Sequence, residues 1–103
     1  MRHTQIGILG SEAYPMRIIT KRRLESDTGL QEIKMHGGNA RIIHFGAQNG
    51  MLFVWAEEEN GLPLEPHQLF LEVTGYPVPN GSHIGTVQVD NLVWHLYTVA
   101  GGG

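Results

Sequence analysis

Six histidines are the first residues that could do chemistry in this 103-residue chain: His3, His36, His44, His67, His83 and His95. A metal site on one element needs two imidazoles on the same face, as in His-x-His or His-x-x-x-His. Here neighbouring histidines stand at least eight residues apart. That spacing predicts scattered surface or hydrogen-bonded histidines and no metal. Nucleophilic catalysis has no better footing. Ser11, Ser26 and Ser82 lie outside any Gly-x-Ser-x-Gly elbow, and the side chains of Ser82 and His83, being neighbours, point apart in a strand. Acid–base chemistry needs two carboxylates held in a cleft. Glu57, Glu58 and Glu59 are instead consecutive before a turn and read as a solvated strand end. No glycine-rich loop opens a helix to cradle phosphate. The expectation is a protein without enzymatic activity or cofactor.

What these residues offer is binding. Arg17, Lys21, Arg22 and Arg23 form a basic cluster, and Trp55, Tyr76 and Trp94 carry stacking faces. Extended nucleic acid calls for a domain-wide positive field. The formal net charge of −3 argues against it. A small nucleotide asks for less: one or two arginines for phosphate and one aromatic ring for the base. Arg41, Trp55, Tyr76 and His83 are the candidates for such a pocket at an oligomer interface. The favoured reading of both tryptophans is nonetheless core packing, since each stands in an apolar strand beside Val or Leu.

Residues 75–81 form a second kind of candidate. Pro77 and Pro79 fix two φ angles, so little conformational entropy is lost on binding. Tyr76 brings a large amphipathic surface with only two χ angles. The alternative is that Tyr76 caps one end of the core while the prolines guard a strand edge. The candidate binding residues are therefore Tyr76, Pro77, Pro79, Arg41, His83, Arg22 and Arg23. The partner expected for them is a host protein or a small nucleotide ligand.

Composition sets the frame that must position these groups. The length suits one domain with one core. Hydrophobic residues make up 41% and charged residues 17%, an ordinary globular balance. The absence of cysteine excludes disulfides and thiolate zinc sites and points to a reducing cytoplasm. No apolar run approaches the roughly 20 residues of a membrane span. Met1-Arg2-His3-Thr4-Gln5 lacks the layout of a signal peptide. All seven Lys and Arg residues lie at or before position 41, while six of the ten acids follow it. This asymmetry means either a bipolar surface or basic early strands pairing with acidic later ones in one sheet.

Turn signals divide the chain into short strands. Asn49-Gly50, Asn60-Gly61 and Asn80-Gly81 are pairs that type I′ hairpin turns prefer, and Gly37-Gly38-Asn39 is a fourth turn. Between them, β-branched and aromatic runs predict strands near 4–9, 16–23, 29–35, 40–48, 51–58, 68–75, 83–89 and 91–99. Prolines confine residues 62–68 and 76–82 to loops. The expected fold is all-β, a small antiparallel barrel or sandwich of about seven to eight short strands. Residues 16–99 form the single β domain, 1–15 an N-terminal extension with a possible extra strand, and 100–103 a flexible glycine tail. Residues 51–56 are apolar on both faces, Met51, Phe53 and Trp55 against Leu52, Val54 and Ala56. Together with Val93, Tyr97 and Val99 they predict a two-fold homodimer.

Three stretches carry a family resemblance. The first runs from Gly38-Asn39-Ala40-Arg41-Ile42-Ile43 into Gln48-Asn49-Gly50-Met51-Leu52-Phe53-Val54-Trp55-Ala56. The second is Thr74-Gly75-Tyr76-Pro77-Val78-Pro79. The third is His83-Ile84-Gly85-Thr86-Val87-Gln88 followed by Leu92-Val93-Trp94-His95-Leu96-Tyr97. In order and spacing they resemble a family of short bacteriophage and prophage proteins with a Leu-Trp-Ala hairpin, a Gly-x-Pro loop and a Leu-Val-Trp-His final strand. Tyr76 departs from that family, which usually has histidine there. The resemblance implies a mobile-element origin and a small β fold, and it brings no activity, catalytic residue or cofactor. The function expected is a non-catalytic phage binding protein in the host cytoplasm that antagonises an anti-phage defence factor. A sponge for a small nucleotide signal and a structural or virion-associated protein are the alternatives.

Overall fold

The computed structural model describes residues 16–99, so the expectations for 1–15 and 100–103 lie outside the described residues. Seven strands follow one another without a helix among those residues: β1 (Arg17–Arg23), β2 (Gly29–His36), β3 (Arg41–Gln48), β4 (Met51–Glu59), β5 (Leu64–Val73), β6 (His83–Val89) and β7 (Leu92–Thr98). All pairings are antiparallel. One sheet has the order β1-β4-β3 and the other β2-β5-β7-β6. The two layers form an open sandwich, which decides the choice between barrel and sandwich.

Alternation builds the core. Leu52, Val54 and Ala56 of β4 turn inward and meet Leu69 and Leu71 of β5, Trp94 and Leu96 of β7, Ile33 and Met35 of β2, and Leu24 and Phe45. On one side the layers touch, where β3 lies against β6. Gly85 allows that approach, since a Cβ on it would stand 3.2 Å from Phe45 Cβ. On the other side the edges of β1 and β2 diverge from residues 24–28. The Gln31 amide pins that corner by bonding the Glu25 N–H and the Glu25 and Asp27 carbonyls.

Of the three Asn-Gly pairs, one makes the expected hairpin. Asn49 and Gly50 sit at φ +52° and +76°, both left-handed as a type I′ turn requires, and join β3 to β4. At Asn60-Gly61 only Gly61 is left-handed, and the turn passes the chain from one sheet to the other. Asn80-Gly81 has no positive φ and lies in the loop before β6. Gly50→Ala should therefore lower stability by about 1 kcal/mol through left-handed strain alone, because open space surrounds that position. A urea titration checks this, and an unchanged midpoint would contradict it.

The reading of residues 62–68 as a loop is overturned. β5 begins at Leu64 and carries Pro66 opposite Lys34 of β2. β7 reaches β5 only from Leu69 to Val73, so at Pro66 the strand has a neighbour on one side. A residue without an N–H is tolerated where one edge is open.

Candidate functional site

Arg22 and Glu58 are built into the sandwich. β1 and β4 pair with Ile18 opposite Glu58, and both Arg22 and Glu58 fall on the inward side of their strands. Glu58 is 0% exposed, which corrects its reading as part of a solvated strand end. Its position continues the inward series Leu52, Val54, Ala56. The Arg22 guanidinium donates to both carboxylate oxygens, from Nε at 2.5 Å and Nη2 at 2.6 Å. The Thr20 hydroxyl and the His36 N–H donate as well. Burial pushes the Glu58 carboxyl up, but the Arg22, His36 and Thr20 hydrogen bonds and the Arg22 charge outweigh it and hold it at about 2. The Arg22 guanidinium is raised by its bond to Glu58 against the opposing effect of burial. Arg22 is thus occupied by structure, and Arg23 beside it faces outward.

The wider charge asymmetry closes in the same way. Arg17 and Arg41 flank Glu57 on the outer face, with Nε–Oε1 distances of 3.8 and 3.0 Å. Basic β1 and β3 thereby meet acidic β4 in one sheet. Lys21 and Arg23 stand apart, since neither forms an ion pair among the described residues. They share the outer face with Phe53 and Trp55. Trp55 is half-buried there, which corrects its assignment to the core, whereas Trp94 is a core residue at 8% exposure. A bulge at Ile43 puts His44 rather than Phe45 on this face, 5.2 Å from the Trp55 ring.

The second layer carries the remaining candidates. Residues 74–82 lead from the end of β5, paired to Trp94, back to the start of β6, paired to Tyr97. Tyr76 on this crossover is 63% exposed, so it does not cap the core. Val78 is exposed and Pro79 half-buried. His83 Nε2 and His95 Nδ1 each lie 2.9 Å from the Thr86 hydroxyl, and His95 Nε2 lies 2.7 Å from that of Thr74. The His83 ring meets Tyr97 edge-on at 5.3 Å. A hydroxyl between two imidazoles suggests nucleophilic chemistry. Yet among the described residues no carboxylate hydrogen-bonds either ring. Glu72, opposite His95, instead accepts from the Val73 N–H. The arrangement reads as a cross-strand hydrogen-bond ladder.

The four residues suggested for one nucleotide pocket do not converge. Arg41 and Trp55 belong to the β1-β4-β3 sheet, and Tyr76 and His83 to the other layer. A cleft of about 300 Å³ takes in Arg41, Met35, Ile42, His67, Ile84 and Thr98, and none of the other three lines it. A groove of about 480 Å³ between the β1 and β2 edges takes in Lys21, Arg22, Arg23 and Lys34 with Glu25 and Glu32. No group of three His, Asp or Glu side chains is placed to hold a metal among the described residues. The two motives for dimerisation also separate, Met51, Phe53 and Trp55 lying outside one sheet and Val93 and Tyr97 outside the other. Sequence reading missed Thr86, His95, Phe53 and His44 as neighbours of these sites. Cross-strand register brings them there, and no local motif marks it.

Residues 16–102 match the model of a family described as a domain of unknown function, DUF7352. Neither the curated proteins nor the solved structures contain a match.

Proposed function

The chain belongs to the DUF7352 family, and we propose that it is a non-catalytic binding protein of phage origin. In this reading it acts in the host cytoplasm by occupying a defence factor, with residues 75–81 as its contact edge. The observation that carries the proposal is the 63% exposure of Tyr76. A tyrosine so exposed contributes little to the core, and two prolines restrict the loop that presents it. Gly75, left-handed at φ +104°, turns the chain just before it. Loops on a rigid β scaffold are where binding residues concentrate.

Tyr76→Ala should leave the melting temperature within about 2 °C of wild type, as surface substitutions do. In parallel captures from host lysate, a partner held by wild type should be lost by the variant. A folded variant that retains every wild-type partner would remove residues 75–81 from the interface.

A further inference from the structure

We propose that the outer face of the β1-β4-β3 sheet is a stacking platform for a short single-stranded oligonucleotide. This face is distinct from residues 75–81 and the inference does not depend on them. Two ladder rows define it: Lys21, Trp55 and His44 in one, Arg23, Phe53 and Gly46 in the next. The Phe53 and Trp55 centroids are 6.3 Å apart. That is about twice the ~3.4 Å spacing of nucleotides along one strand of a duplex. The ring planes are tilted by 54°, so neighbouring bases stacked on them would be splayed from one another, as single strands allow and duplexes do not.

Charge selects the occupant. Glu57 and Glu59 lie at the far end of the face, where Arg17 and Arg41 flank Glu57. At the aromatic end neither Lys21 nor Arg23 forms an ion pair among the described residues. The Lys21 ammonium lies 4.3 Å from the Phe53 centroid and 5.7 Å from that of Trp55, and also bonds the Gln48 side-chain oxygen. From there it reaches a phosphate linking two stacked bases by rotating its own side chain. Gly46 keeps the Phe53 row low, since a Cβ there would stand 2.9 Å from His44 Nε2 and 3.3 Å from Trp55 Cζ3. Trp55 also shields the Gly46 backbone, a role that explains its partial burial but not the unpaired cations beside it. The net charge of −3 keeps affinity in the range of nonspecific binding, about 1–100 µM. An open face without walls favours a strand lying across it over a single free nucleotide.

The test uses an end-labelled oligothymidylate about 12 nucleotides long, followed by fluorescence anisotropy against the full chain. Binding should quench the emission of Trp55, because Trp94 is buried. Trp55→Ala should weaken binding about 5- to 150-fold, and Trp55→Phe should retain most of it. With Lys21 and Arg23 each neutralising one phosphate, log K should fall against log salt with slope about −1.4, and Lys21→Gln should bring it near −0.7. A cooperative thermal transition, lowered by no more than about 8 °C in Trp55→Ala, would show that the variants fold. No anisotropy change up to about 1 mM protein would overturn the proposal. So would equal affinity for a duplex or a mononucleotide, or a Trp55→Ala variant that binds normally. A face that serves a second copy of the chain would show loss of self-association in Trp55→Ala without loss of oligonucleotide, and that too would overturn it.

Discussion

Arg22→Met should destabilise the protein by about 3 kcal/mol, at the lower end of what breaking a buried pair costs. The substitution removes two of the hydrogen bonds that hold the Glu58 carboxylate and leaves that carboxylate buried with the Thr20 hydroxyl and the His36 N–H. The Arg22 side chain is 26% exposed, so water offsets part of the loss. Two strands from different sheets share this carboxylate: β1 through Arg22 and Thr20, and β2 through the backbone of His36. Breaking it therefore loosens the clasp between layers as well as one ion pair. In a domain of this size the melting temperature should drop by roughly 12–24 °C. Replacing both partners, as Arg22→Met with Glu58→Leu, should recover much of the loss, because no orphaned charge is left. A coupling energy near zero in that cycle would show the two residues to be independent.

The same pair sets a pH dependence whose sign can be worked out. Glu58 titrates at about 2 in the folded protein, below the roughly 4.3 of an unfolded glutamate. The folded state thus prefers the ionised form. Its contribution is complete above about pH 4.3 and is lost as pH falls toward 2. In Arg22→Met, burial opposes ionisation with fewer donors to counter it, so the acid-side loss due to Glu58 should shrink or reverse. Urea midpoints of both proteins between pH 2 and 7 give the difference, in which the other carboxylates cancel. Parallel profiles would sink the assignment.

Most of the strand plan is legible in the chain, and the reasons are local. Asn49-Gly50 between two β-rich runs specifies a hairpin because its φ requirements are strict. The phase of Leu52, Val54 and Ala56 specifies the inner face of β4 for the same kind of reason. Extended by two residues, that phase reaches Glu58, whereas a run of three glutamates reads as a solvated strand end. The run hid one inward carboxylate between two outward ones. Bulges are where local reading ends. The shifts at Ile43 and Ile84 invert the alternation of β3 and β6, placing His44 outside with Trp55 and Ile84 against the core. Only pairing partners determine those shifts. The non-local pairings of β1 with β4 and β2 with β5 are hidden as well. They split Arg41 and Trp55 from Tyr76 and His83, so residues that suited one pocket by type ended on different layers.

Trp94→Ala should be the most damaging single core substitution tested, at about 3–5 kcal/mol. Trp94 stands in the inner row of its sheet, opposite Val73 on β5 and Val87 on β6. Both valines pack against the core, so the indole bridges the three strands at that level. Neither flanking valine is large enough to fill the space. The next row inward is Leu71, Leu96 and Gly85, and Gly85 brings no side chain. Collapse is hindered further because Gly85 already meets Phe45 where the layers touch. Trp94→Phe keeps most of the volume and should lose less than half as much. Trp55→Ala is the internal comparison. Its indole is only partly buried, on the opposite surface of the other sheet, so its removal should cost about 1 kcal/mol, mainly from lost cross-strand contacts. The two variants also divide the fluorescence, with Trp94 emitting at shorter wavelength than Trp55 and shielded from aqueous quenchers. Thermal melts and iodide quenching of both proteins test the assignment together. A Trp94→Ala variant that melts with wild type, or whose remaining tryptophan is the shielded one, would place the wrong indole in the core.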